Sequence, residues 1–275
     1  MTGDGLVQDW FRIGEPKPGV FVIEEPLHDE QVASFLIVGS DRALLIDAGM
    51  GVADLRAVVE GITSLPVTLL VSHAHFDHVG DAWRFAGDCP VLVHPLEADR
   101  LRAGTPNERL RRFYTPEHLL GPLPAGFDLD TATIPGAEPS GFVQDGDRID
   151  LGGRVLEVIH APGHEGGLLA LLDRANRLLF STDVVYAGRI YAHMPGSDLA
   201  AYRATMGRLA ALAPDIDAVY ASHGERPIPP EVLPRLAAAF GAIVAGRAPD
   251  ESTDSADIHH IDGLTVLAAQ TERPA

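Results

Sequence analysis

The chain holds a single cysteine, Cys89, so no disulfide can close within it. Cys89 stands outside the histidine-rich motifs and reads as a small apolar residue at the start of a strand. Positive charge is scarce as well: 21 Lys and Arg stand against 39 Asp and Glu, a formal net charge of -18. A protein that grips nucleic acid needs clustered Lys and Arg to displace the counterions of phosphate, so nucleic acid and anionic membrane surfaces are not expected partners. Small anionic substrates stay open, because a bound divalent cation can dominate the local field. No apolar run approaches the ~18 to 20 residues of a membrane span. The opening Met1-Thr2-Gly3-Asp4-Gly5 lacks the basic and apolar regions of a secretory signal, and the expectation is a cytoplasmic protein.

What is present is the material of an ordinary globular core: 275 residues, 46% hydrophobic and 22% charged. Strand-like and helix-like runs alternate between Gly, Pro and Asp punctuation, which excludes an all-α or all-β chain. Strands are expected at Phe35 to Val38, Ala43 to Ile46, Val67 to Val71, Leu92 to His94 and Asp150 to Ile159. Further along, Leu168 to Leu172 and Leu178 to Phe180 read as a hairpin, and Ala218 to Tyr220 as another strand. Helices are expected over Val52 to Ile62, just after His78, over Leu199 to Leu212 and, alanine-rich, beyond Pro230. Ala248 to Ala256 reads as a linker and Leu264 to Ala268 as a closing edge strand. From about 97 to 141 the pattern changes to prolines, glycines, a basic patch at Arg109, Arg111 and Arg112, and aromatic Phe113, Tyr114 and Phe127. A stretch of that length predicts short helices forming a lid over a site.

The chemistry is concentrated in His73-x-His75-x-Asp77-His78, four potential ligands within six residues. Imidazole and carboxylate suit zinc and other first-row divalent ions. Four ligands on one turn do not converge easily on a single tetrahedron, so the spacing favours His73 and His75 facing one ion, Asp77 and His78 another. His164 after a Pro-Gly turn, Asp183 and His223 each follow a strand-like run and occupy the loop positions where sites are usually built. The remaining histidines, His28, His94, His118, His160, His193, His259 and His260, have no place in that pattern. They read as structural or solvated, with His193 the one placed to wall a pocket.

This ordered set resembles the metallo-β-lactamase superfamily: His-x-His-x-Asp-His, then a Gly-His, an Asp and a final His, each closing a strand. The match runs from about Val32 to His223. The resemblance implies an α+β fold, a four-layer αββα sandwich, and one domain over 1–275, into which the lid expected at 97–141 is inserted. It implies two metal ions, zinc first and iron or manganese next, with His73, His75 and His164 on one, Asp77, His78 and His223 on the other, and Asp183 bridging. Asp47, in Ile46-Asp47-Ala48-Gly49, matches the strand-end Asp that orients the ligand loop by hydrogen bonding.

The implied activity is hydrolysis of a carboxylic ester, lactone or thioester by hydroxide held on the metal pair. Asp77 would move the proton and Tyr186 would donate to the oxyanion; Tyr186 and His193 are the expected substrate contacts. Asp183 stands where the cysteine-ligand β-lactamases carry Cys, which disfavours antibiotic hydrolysis, and His75 stands where the oxygen-reducing diiron branch has Glu. Asp183-Val184-Val185-Tyr186 is similar to N-acyl-homoserine lactonases. A phosphodiesterase with the same two-metal site and a non-catalytic binding protein are the alternatives. A glyoxalase II-like reading is weakened by the few basic residues after His223. The partner expected is a small molecule; the sequence leaves oligomeric state open, a homodimer included.

Overall fold

The computed structural model describes residues 6–8 and 10–270. The chain falls into two compact units that divide after Leu156.

The first unit is built on an eight-stranded sheet whose strands lie in chain order. They are β1 (Leu6–Gln8), β2 (Phe11–Lys17), β3 (Val20–Glu24), β4 (Ala33–Val38), β5 (Ala43–Ile46), β6 (Val67–Val71), β7 (Val91–Val93) and β8 (Gly141–Phe142). Neighbours from β1 to β5 are antiparallel and those from β5 to β8 parallel. The change follows from connection length: the turn at 39–42 can only reverse the chain, whereas β5 and β6 are joined by a crossover that carries α1 (Leu55–Ile62). Asp54 caps α1 by accepting the Ala57 N–H at 2.9 Å, which is why the helix begins at Leu55 rather than at the expected Val52. Leu55, Val58 and Val59, spaced i, i+3 and i+4, bury one stripe in the same core as Leu36, Leu45, Leu69 and Val71. The other face of these strands is equally dry, with Leu44, Ile46 and Leu70 fully buried, so the central strands read as continuous apolar runs.

Short helices α2 (Phe76–Val79), α3 (Ala82–Phe85), α4 (Ala98–Ala103) and α5 (Asn107–Leu110) follow, and β9 (Arg148–Asp150) comes after β8. The expected short helices of the 97–141 segment are therefore present. That segment is also part of the core: Leu101, Leu110, Tyr114, Ile134 and Ala137 are buried in it.

In the second unit β10 (Val155–His160), which begins two residues before the division, pairs with β11 (Leu169–Asp173). β11 pairs with β12 (Leu178–Thr182), and β12 runs parallel to β14 (Ala218–Ala221). Helices α6 (Leu199–Leu212) and α7 (Val232–Val244) stack Tyr202 on Phe240 with ring centroids 4.2 Å apart. They share a core with Ala170, Leu172, Leu179 and Val219. The strand residues between these, Leu169, Leu171, Leu178 and Phe180, are buried too. Each unit thus supplies a sheet buried on both faces with helices against one of them, the two layers that half of an αββα sandwich requires.

Two expectations need correcting. Leu264–Ala268, here β17, is not an edge strand: it lies between β13 (Arg189–Ala192) and β16 (Asp257–Ile261) in a four-stranded sheet. The presumed linker ends that sheet as β15 (Glu251–Ser252). A two-residue strand has no periodicity to read, and β13 and β16 are polar enough to pass for loop. Among the described residues no helix is long and apolar enough to cross a membrane.

Candidate metal centre

In the first unit the site begins at the end of β5. Asp47 takes the left-handed conformation, φ +64°, which a short acidic side chain tolerates better than most. Its carboxylate accepts the Ser72 N–H at 2.7 Å and the Ser72 hydroxyl at 2.8 Å, and it meets His78 Nδ1 at 2.8 Å. One carboxylate therefore fixes both the exit of β6 and the turn of helix that follows. With Nδ1 engaged by Asp47, His78 presents Nε2, which lies 3.5 Å from Asp77 Oδ2.

The rings of His73 and His75 meet edge to face, with His73 Nε2 and His75 Nδ1 3.0 Å apart. Two imidazole nitrogens sharing one tetrahedral zinc at ~2.0 to 2.1 Å would sit about 3.3 Å apart, so this spacing fits a common cation. His73 and His78 are fully buried and Asp77 nearly so. Ala74, between the first two histidines, donates its N–H to Glu97 Oε2 at 3.1 Å. Gly80 closes the turn where a Cβ would stand 2.1 Å from the Gly51 nitrogen, so the ligand helix is seated directly on the 49–51 backbone.

The second unit carries three more candidate ligands, His164, Asp183 and His223. Gly163 precedes His164 at φ +149°, and a Cβ there would fall 2.6 Å from the Tyr202 Cα. His164 Nδ1 faces the Tyr191 carbonyl at 3.1 Å, an arrangement that makes Nδ1 the donor and leaves the Nε2 lone pair for a metal. That Nε2 is 3.7 Å from Asp183 Oδ2, and His223 Nε2 is 3.2 Å from the same oxygen. An oxygen placed between two histidines is what a bridging carboxylate needs. The residue before it, Thr182, is β-branched yet held at φ +47°, a strained backbone fixed on one side by its hydroxyl bond to the Leu169 carbonyl. On the other side the Tyr202 hydroxyl reaches the carbonyls of Asp183 and Val184.

Tyr186 is buried, its ring edge-on to His223 at 5.7 Å, and its oxygen accepts the Tyr191 N–H at 2.9 Å. Burial pushes its phenol well above the usual range, so it keeps its proton. His193 is half-buried next to Tyr191, and burial lowers its pKa. Of the histidines read as structural, His28 is buried against the Phe113 carbonyl and His160 faces the Gly166 carbonyl.

The Lactamase_B family model, described as the metallo-beta-lactamase superfamily, matches residues 28–223. The chain belongs to the metallo-beta-lactamase superfamily. It is 34% identical over 212 residues to the acyl-coenzyme A thioesterase MBLAC2 of Gallus gallus, covering 73% of this chain and 75% of that one. A metallo-beta-lactamase from Pontibacter korlensis superposes with a TM-score of 0.63 at 18% identity, over 84% of this chain and 99% of that one. The protein TTHA1623 in a di-iron-bound form superposes with a TM-score of 0.56 at 27% identity, over 75% and 94%. The fold is thus that of the superfamily, and the chain is a hydrolytic enzyme with a His and Asp set able to bind divalent metal.

Sequence reasoning missed Glu97 and Tyr202. Glu97 reads only as the start of the insertion and Tyr202 only as one position of a helix; neither carries a local signal of its contact with the ligand loops.

Proposed function

We propose that this enzyme hydrolyses thioesters at a pair of divalent cations. His73, His75 and His164 would hold one ion, Asp77, His78 and His223 the other, and Asp183 both. The observation that carries the substrate class is the identity to an acyl-coenzyme A thioesterase over about three quarters of both chains. Zinc is the ion proposed, on the histidine-rich donor set, although the di-iron form of TTHA1623 is that of a related protein. Such cations, when bound, bring the pKa of water toward ~7 and polarise a carbonyl.

The chain's own groups do the rest. Asp77 would take up the proton of the attacking water. Tyr186, whose oxygen is already an acceptor for Tyr191, has its O–H to donate to the developing oxyanion. His193 would contact the substrate from the pocket wall. Asp47 keeps Nε2 of His78 turned toward Asp77. Thiols ionise near pH ~8.5, so expelling a thiolate asks little of a general acid. That suits a site whose proton carriers are one carboxylate and one phenol of raised pKa. The two units would act as one domain in a cytoplasmic protein, with 97–141 bordering the substrate.

The test is release of free thiol from a series of acyl-coenzyme A substrates by zinc-loaded protein, run beside lactones and phosphodiesters. Thiol release with saturation supports the reading. Turnover of lactones or phosphodiesters alone moves the assignment to those classes.

A further inference from the structure

Three arginines, Arg109, Arg111 and Arg112, fall within four positions of the 97–141 segment of a chain whose net charge is -18. On α5 and the turn after it, Leu110 and Tyr114 point into the core while all three arginines are exposed. Two of them have acidic neighbours that hold them loosely. Arg111 meets Asp130 at 3.4 Å and Arg112 meets Glu108 at 3.9 Å, and those acids are 80% and 89% exposed. Arg102, by contrast, is clasped by Glu138 through three hydrogen bonds and by Asp99 through a fourth. Exposed pairs of the looser kind contribute little and give way readily to a better anion.

The cluster leads straight to the ligand loop. Phe113, the next residue, is half-buried and stacks on Phe76 with centroids 4.0 Å apart and planes at 17°. Phe76 stands between His75 and Asp77. We propose that Arg109, Arg111 and Arg112 bind the nucleotide phosphates of a coenzyme A thioester, with the Phe113 ring lying under the uncharged linker that leads to the acyl group. The inference rests on the thioesterase reading above. Its physical need is plain: a chain this acidic repels a polyanionic substrate, and a local basic patch reverses the field where the phosphates arrive. Since physiological salt largely screens exposed charges beyond ~8 Å, the arginines act only on phosphates that come within about that distance.

The experiment compares octanoyl-coenzyme A with octanoyl-pantetheine, the same thioester without the nucleotide, in the wild type and in R109Q/R111Q/R112Q. The expected result is that the ratio of kcat/KM for the two substrates falls at least about tenfold in the triple variant, through KM for the coenzyme A ester. Adenosine 3′,5′-bisphosphate should inhibit the wild type competitively and lose about as much affinity in the variant. KM for the coenzyme A ester should rise with salt in the wild type and become flatter in the variant. An unchanged ratio overturns the assignment; so does an equal loss on both esters, which makes the arginines a structural element. A wild type that cleaves neither ester sinks the thioesterase reading itself. One that cleaves both with equal kcat/KM sinks only the arginine site.

Discussion

Asp47 Oδ2 and His78 Nδ1 lie 2.8 Å apart, and both side chains are shielded from solvent. The pair settles which ring nitrogen of His78 is left for a metal. Asp47→Asn keeps a residue that tolerates the left-handed backbone but gives up the charge. It should weaken metal retention about 10- to 100-fold with the fold intact. Metal content after dialysis against a graded chelator series, read beside circular dichroism, checks this.

His75→Ala and Asp183→Ala should each abolish turnover with only a modest loss of stability, because one side chain is half-exposed and the other sits at a loop. Activity at the wild-type level in either variant, measured under metal saturation, would refute the ligand assignment.

Tyr186→Phe separates two roles. Loss of the oxygen removes one acceptor of the part-buried Tyr191 N–H and should cost about 0.5 to 1.5 kcal/mol of stability. If the phenol donates to the oxyanion, kcat should also fall about 100- to 1000-fold at saturating substrate. A stability loss with kcat unchanged would reduce Tyr186 to a strut beneath β13.

Removing the metals should lower the melting temperature. A ligand at 100 times its Kd stabilises the folded state by about 2.7 kcal/mol, so chelation should lower Tm by several degrees, reversibly on adding zinc. A melting curve indifferent to chelator would contradict a structural contribution from the ions.

Glu25 gives a pH signature. Burial pushes its carboxyl up to about 7 from an ordinary 4.5, although Trp10 and the Met50 N–H both donate to it and favour the charged form. Between those values the folded state keeps a proton that the unfolded chain has lost. Its contribution to stability is therefore present below pH 4.5, declines as pH rises to about 7, and is flat above. Glu25→Gln removes the titration. The stability of the wild type relative to the variant should fall by up to about 3 kcal/mol between pH 4.5 and pH 8, as read by denaturant unfolding at each pH. A constant difference across that range would show that Glu25 is ionised throughout.

The candidate ligands were legible in the sequence because each follows a short apolar run, where a buried strand must end and a loop begin. β6 and α6 lie within the bounds that periodicity gives, and β5 does too. Contacts made across long separations left no such trace. Glu97 reaches Ala74 from 23 positions away, and Tyr202 reaches the Asp183 carbonyl from 19. β17 is apolar enough to be found, yet its place inside a sheet depends on β13 and β16, whose polar exposed positions hide them. Local pattern reports which residues leave water; partners depend on topology, which a single chain's pattern does not contain.

The absent side chain at position 163 also sets a boundary for engineering. Since Tyr202 already occupies the volume any larger residue would need, randomising the Pro162-Gly163-His164 corner would yield mostly dead clones. New specificities are better sought in the solvent-facing arginine turn, where replacements displace nothing packed.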